Sequence, residues 1–245
     1  MDRLVYVAMS GAKESLRAQA ANNHNLANAS TTGFKADLSA FQTRSVVGAG
    51  LPSRAYAMDS SVGWNSMSGA LEQTGRDLDV AVQGSGWIAV QAPDGTEAYT
   101  RAGDLRVDPS GVLMTGAGHV VLGDSGPLTV PPHTALAIGG DGSVSIVPVG
   151  QEAKTMATVG RIKLVNPADS DLERGQDGLF RMKSGVPAEA DAKVHVAGGA
   201  LETSNVNVAD AMTNMIELAR NYELQVKAIH TAEQDAESAT RLLQG

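Results

Sequence analysis

The sequence predicts an α+β chain in which N- and C-terminal helices form a coiled-coil-like assembly domain around a central all-β insert. Three observations carry this: apolar residues at heptad spacing near both ends, many short β-prone runs punctuated by Gly and Pro, and no helical period between the ends. The expected divisions are a discontinuous helical domain at 1–30 and 208–245, an extended linker with short strands at 31–78, and an all-β domain at 79–207.

The first helix is predicted from Val5, Met9, Ala12, Leu16, Gln19, Asn23 and Leu26, which recur at steps of four and three. Several of these are small or amide residues, so this face suits close helix neighbours. The run Asn25-Leu26-Ala27-Asn28-Ala29-Ser30-Thr31-Thr32-Gly33-Phe34-Lys35 then ends it. Short polar side chains bond their own backbone, and Gly33 permits a sharp reversal.

Between Ala36 and Met67, Phe41, Val46, Val47, Leu51, Tyr56, Met58, Val62 and Trp64 follow neither period, which reads as extended linker. Trp64 is the residue there most suited to anchor a packing contact.

From Asp79 onward the pattern is strand and turn. Val80-Ala81-Val82 and Trp87-Ile88-Ala89-Val90 flank Gly84-Ser85-Gly86, and Pro93-Asp94-Gly95 and Asp108-Pro109-Ser110-Gly111 are reversals. Ala98 to Thr100, Val112 to Met114, His119 to Leu122, Leu128 to Val130, Leu136 to Ile138, Val144 to Val147, Val159 to Val165, Leu179 to Met182 and Val194 to Val196 continue the series.

The last helix is predicted from Val208 to Leu243. Val208, Met212, Met215, Ala219, Tyr222, Val226, Ile229, Ala236 and Leu243 keep the heptad, interrupted by Glu233 and Thr240. The opposite face is charged, and the helix would reach roughly 50 Å at ~1.5 Å per residue. Each large apolar side chain forgoes roughly 1.5 to 3 kcal/mol when left in water, so such a stripe requires partner helices. The candidate assembly interface is Val5, Met9, Ala12, Leu16, Leu26, Met212, Met215, Ile216, Ala219, Tyr222, Val226, Ile229 and Leu243.

Composition narrows the function classes. With 19 basic and 27 acidic residues the net charge is −8, and no Lys/Arg cluster is present, so nucleic acid is not an expected partner. No stretch approaches the ~18 apolar residues of a membrane span, and the opening Met1-Asp2-Arg3-Leu4 lacks the basic and apolar regions of a cleavable signal peptide. Absent cysteine removes thiolate catalysis and Cys-ligated metal. Gly84-Ser85-Gly86 and Gly116-Ala117-Gly118 are each half of a dinucleotide fingerprint, with the third Gly misplaced. Asp169, Asp171 and Glu173 begin like a calcium loop, but Arg174 and Phe180 stand where Gly and Glu are required. His24, His119, His133, His195 and His230 are scattered without ligand spacing, and no serine sits in a nucleophile elbow. No catalytic residue, cofactor or metal is therefore expected.

Three ordered blocks are similar to the bacterial flagellar rod and hook family: the signature turn Asn25, Leu26, Ala27, Asn28, Gly33 and Phe34; Gly69 to Gly84, running on to Tyr99-Thr100-Arg101-Ala102-Gly103; and Leu201-Glu202-Thr203-Ser204-Asn205-Val206-Asn207-Val208 leading to Tyr222-Glu223. The opening Met1 to Ala12 resembles the proximal-rod branch. His24 and Ala209 depart from the usual pattern, which touches cap geometry and not the heptads. The resemblance implies a structural, non-enzymatic rod subunit that polymerises with itself and with other rod proteins into a torque-transmitting shaft for motility. It further implies delivery by the flagellar type III export apparatus and a place in the basal body, across the periplasm, without membrane insertion. A distal-rod or hook-type subunit is the alternative within the family. A secreted peptidoglycan-acting enzyme, whose paired carboxylates are recognised by geometry and not by spacing, and a transient rod scaffold are the alternatives of other classes.

Overall fold

The computed structural model describes residues 2–45, 55–150 and 156–244. Its elements in chain order begin with α1 (Asp2–Ala27), β1 (Asp37–Ser45), β2 (Ala55–Trp64), β3 (Leu71–Gln73), β4 (Val80–Gln83), β5 (Trp87–Gln91) and β6 (Glu97–Thr100). There follow β7 (Leu105–Val107), β8 (Leu113–Thr115), β9 (Val120–Gly123), β10 (Gly126–Pro127), β11 (His133–Ile138), β12 (Ser143–Pro148) and β13 (Ala157–Arg161). The chain closes with β14 (Leu164–Val165), a single 3-10 turn at Asp169–Asp171, β15 (Leu172–Arg174), β16 (Phe180–Met182), β17 (His195–Gly198), β18 (Ala200–Glu202) and α2 (Val208–Gln244). The molecule is thus α+β, with a long all-β centre and a helix at each end.

It divides into a helical unit (1–29, 36–65 and 206–245) and a β unit (30–35 and 66–205). The stretch 31–78, expected as one linker, is shared between them. β1 and β2 form an antiparallel hairpin of the helical unit, in register from Asp37 opposite Trp64 to Ser45 opposite Ala55, with a bulge at Leu38/Ser39. Trp64 is half-buried at the end of that hairpin. Val46, Val47 and Leu51 lie outside the described residues, as do the side chains of Phe41, Tyr56, Met58 and Val62.

In the β unit the largest sheet runs β15-β16-β6-β5-β9-β8-β7, with β10 on β9 and β14 on β5. β11-β12-β13 form a second sheet, and the ribbons β17–β4 and β18–β3 complete the unit. β4 and β5 carry runs of three and four buried apolar residues without alternation because both of their faces are covered. Val80, Ile88, Val90, Leu105, Leu113, Val121 and Val144 are wholly buried at its centre. Leu128 to Val130 does not form a named strand. Pro127, Pro131 and Pro132 remove ladder donors around it, leaving a single bridge between Thr129 and Val112, although Leu128 and Val130 still enter the core. The run from Val159 to Val165 likewise breaks into β13 and β14.

Candidate assembly interface

Two contacts fix how the terminal helices meet within the helical unit. Asn22 Nδ2 donates to the Ala211 carbonyl at 2.7 Å, and Gly11 lies against the side-chain amide of Gln225. The earlier α1 residue meets the later α2 residue, so the helices run antiparallel. α1 also packs against the β1–β2 hairpin.

On α1 the seam is built mainly from small residues. On α1 the buried positions are Ala8, Ala12, Glu14, Ser15 and Ala18. On α2, Ala211 and Ala232 are buried, and Met215, Leu218, Tyr222, Gln225 and Ile229 between them are half-buried at alternating steps of four and three. That is a heptad stripe, but of the expected α2 series only Met215, Tyr222 and Ile229 lie on it, with Val208 and Met212 exposed, and on α1 the phase is shifted as well. Met9 and Leu16 are about half exposed, at 53% and 49%, while Val5, Leu26, Ala219 and Val226 are half-buried. On α2, Met212 and Ile216 are 53% and 64% exposed. The Ala236 and Leu243 side chains lie outside the described residues. Small residues let two helices approach closely, and the larger apolar side chains are then left on the outer faces.

The signature turn works in two halves. In the helical unit, the Asn25 side-chain amide imitates a neighbouring strand. Its Nδ2 donates to the Asp37 carbonyl at 2.9 Å and its Oδ1 accepts from the Asp37 amide at 2.7 Å, which fixes where β1 begins. His24 Nδ1 lies 2.7 Å from Asp37 Oδ2. Asn28 closes the helix through its amide and side chain on the His24 carbonyl, at 3.2 and 2.9 Å. Leu26 and Asn28 are half-buried and Ala27 is exposed. At the other end, Asn207 Oδ1 accepts from Ala209 at 3.0 Å, so Asn207 caps α2 and no proline is needed there.

In the β unit, Gly33 and Phe34 are buried. Gly33 adopts φ +67°, and a Cβ there would fall 2.3 Å from the Arg101 backbone, so glycine is required twice over. Its amide donates to the Glu202 carbonyl at 2.8 Å. Next to it stands an ionic cluster that sequence reading missed. Lys35 Nζ is 2.7 Å from Glu202 Oε1, and Arg101 Nη1 is 2.9 Å from Glu202 Oε2. The three side chains are 1%, 4% and 1% exposed for Lys35, Arg101 and Glu202. Lys35 also donates to the Met67 carbonyl at 2.9 Å, and the Gly69 amide to Glu202 Oε1 at 3.0 Å. Burial pushes the Lys35 ammonium below its usual range, with the Glu202 carboxylate opposing that shift. Arg174 donates to the Lys35 carbonyl at 2.8 Å and lies over the Phe34 ring at 4.4 Å. The available signal was distribution: Lys35 directly follows Phe34 of the first family-like block, and Arg101 and Glu202 sit in the second and third.

Among the described residues no group of three or more His, Asp or Glu is placed to hold a metal, and no helix is long and apolar enough to cross a membrane. The arrangement offers packing faces and a buried ionic tie.

Both chain ends closing one helical unit, with a β unit inserted between them, define the class: an α+β subunit with discontinuous terminal helices. Two family profiles match, "Flagellar basal body rod FlgEFG protein C-terminal" over 197–242 and "Flagellar hook protein FlgE/F/G D1 domain" over 81–146. The flagellar basal-body rod protein FlgF of Escherichia coli (strain K12) is 43% identical over 249 residues, covering 99% of both chains. FlgF of Caulobacter vibrioides is 35% identical over 99% of this chain and 98% of its own. The rod protein FlgG of Buchnera aphidicola subsp. Schizaphis graminum is 33% identical over 90% and 92%. The chain belongs to the flagellar rod and hook family.

Proposed function

We propose that the chain is a structural subunit of the proximal part of the flagellar basal-body rod, polymerising through its terminal helices into the shaft that transmits torque. The observation that carries this reading is the placement of large apolar side chains on the outer faces of both terminal helices, in a chain similar from end to end to rod proteins. Met9, Leu16, Met212 and Ile216 are about half exposed or more, whereas the α1 side of the seam between α1 and α2 uses mainly small residues. In a coiled-coil-like helical assembly those outer faces would be covered by other copies and by other rod proteins, through heterologous contacts. The proposed interface is the set Val5, Met9, Ala12, Leu16, Leu26, Met212, Met215, Ile216, Ala219, Tyr222, Val226, Ile229 and Leu243, with packing as its role: Ala12, Met215, Tyr222 and Ile229 hold α1 against α2, and the exposed Met9, Leu16, Met212 and Ile216 meet neighbouring subunits. Proximal-rod identity is supported by the 43% identity to FlgF of Escherichia coli over 99% of both chains. By the same reading the subunit is not an enzyme. It reaches the periplasmic rod through the flagellar export apparatus.

The test is a strain carrying Met215→Asp in place of the native residue. A soluble β unit, loss of the protein from purified basal bodies and loss of swimming are expected. Normal swimming would remove α2 from the interface.

A further inference from the structure

We propose that Glu202 is the keystone of the β unit: the segment 30–35, just past α1, docks only once β18, just before α2, has brought this carboxylate into place. The geometry is a two-cation, one-anion site away from water. Lys35 and Arg101 both reach Glu202, at 2.7 and 2.9 Å, across 167 and 101 residues of sequence. Backbone carbonyls of Met67 and Gly84 take further donors at 2.9 and 2.7 Å, while Arg101 Nε has no hydrogen-bond partner among the described residues. Carbonyls solvate a cation but do not neutralise it. Before Glu202 arrives, two like charges would have to share a dry site, and that arrangement is strongly disfavoured. An apolar side chain at position 35 would stick to the half-made unit at once. A lysine waits for its counter-ion.

The backbone makes the same connection. Gly33 donates to the Glu202 carbonyl at 2.8 Å, Asn205 donates to the Phe34 carbonyl at 3.3 Å, and Asn205 Nδ2 donates to the Met67 carbonyl at 2.8 Å. Gly69 approaches Thr203 so closely that a Cβ would fall 1.9 Å from the Thr203 carbonyl oxygen. The segments holding 33–35, 67–70 and 202–205 therefore lock together in one step. A chain made or threaded from its N-terminus delivers Glu202 last of the three. The segment leaving α1 thus stays undocked until the residues that lead into α2 are present, and the two ends are set in one event.

Hydrogen exchange on the full-length chain tests this, read at the amides of Gly33 and Asn205 and, as a reference, at Ala89 in β5, which donates to Lys163 at 3.0 Å. Glu202→Gln keeps the shape and removes the charge. Gly33 and Asn205 are expected to exchange at least about tenfold faster, with Ala89 unchanged. The triple variant Lys35→Met/Arg101→Met/Glu202→Met removes all three charges and is expected to restore protection to within about threefold of the native chain. Native-like protection in Glu202→Gln would overturn the proposal. Equal acceleration at Ala89 would also overturn it, because the site would then be a general stability element. So would a triple variant that exchanges as fast as Glu202→Gln, since shape and not charge would be deciding.

Discussion

Gly11 of α1 faces Gln225 of α2 so closely that a Cβ on Gly11 would lie 2.9 Å from the Gln225 side-chain carbon Cδ. The obstacle is the far end of a flexible side chain, not backbone. Gly11→Ala is therefore expected to change stability by no more than ~1 kcal/mol, since better helix propensity offsets the crowding. Gly11→Leu cannot be absorbed and should cost about 1–3 kcal/mol. Thermal melts followed by circular dichroism at the helix band separate the two; equal melting of both variants would mean that the helices do not meet at this point.

Asn25→Ala removes both hydrogen bonds to Asp37 and leaves a strand-initiating amide without its side-chain partner. A loss of about 1–2 kcal/mol in the helical unit is expected, with the Asp37 amide exchanging faster while α2 keeps its protection. Asn25→Asp should recover little, because an acceptor-only side chain cannot donate to the Asp37 carbonyl.

Ile216→Asp separates folding from assembly. This side chain is largely exposed in the single chain, so the isolated protein should keep its stability within about 0.5 kcal/mol. Ala12→Asp, placed in the buried seam, should instead cost several kcal/mol, as an unpaired buried carboxylate does. Both are expected to abolish swimming. Unaltered motility in the Ile216 variant would show that no neighbour covers this face.

Tyr99 gives a pH signature. Burial pushes its phenol up to about 12, although the Ala188 amide donating to its oxygen opposes the shift. The unfolded phenol ionises near 10, so the stability linked to this group is fully present below pH 10 and is lost as pH rises toward 12. Alkaline unfolding of the β unit should fall in that window and be accompanied by late tyrosinate absorbance. Tyr99→Phe should remove the late absorbance and flatten the decline; an unchanged decline would assign it to other groups.

The helices at both ends and the β character between them were legible because each has its own hydrophobic period. What was misread on α1 was phase. Met9 and Leu16 outrank Ala8 and Ser15 in hydrophobicity, so a count of apolar residues draws the stripe through the larger pair, but close approach of two backbones selects the smaller ones. Residues 37–45 and 55–64 read as short strands within a linker and not as a paired hairpin, because pairing depends on a partner strand and little on local sequence. The Lys35–Glu202–Arg101 cluster was illegible for a similar reason. A charged residue in isolation reads as surface, and nothing local to Lys35 announces a carboxylate 167 residues away.

The antiparallel pairing of Asn22 with Ala211 and of Gly11 with Gln225 carries a consequence for the far end of α2. Continued at the same pitch, α1 runs out near the level of Ala232, and beyond it the described side chains of α2 through Leu242 are all exposed. The described side chains of these final turns gain no burial of their own, so their helix rests on propagation from the packed part of α2 and is expected to fray from the end inward. Their helix content is then governed by mass action: it is lowest in dilute solution and rises with the concentration of whatever covers them, which makes the tip of the chain a gauge of occupancy.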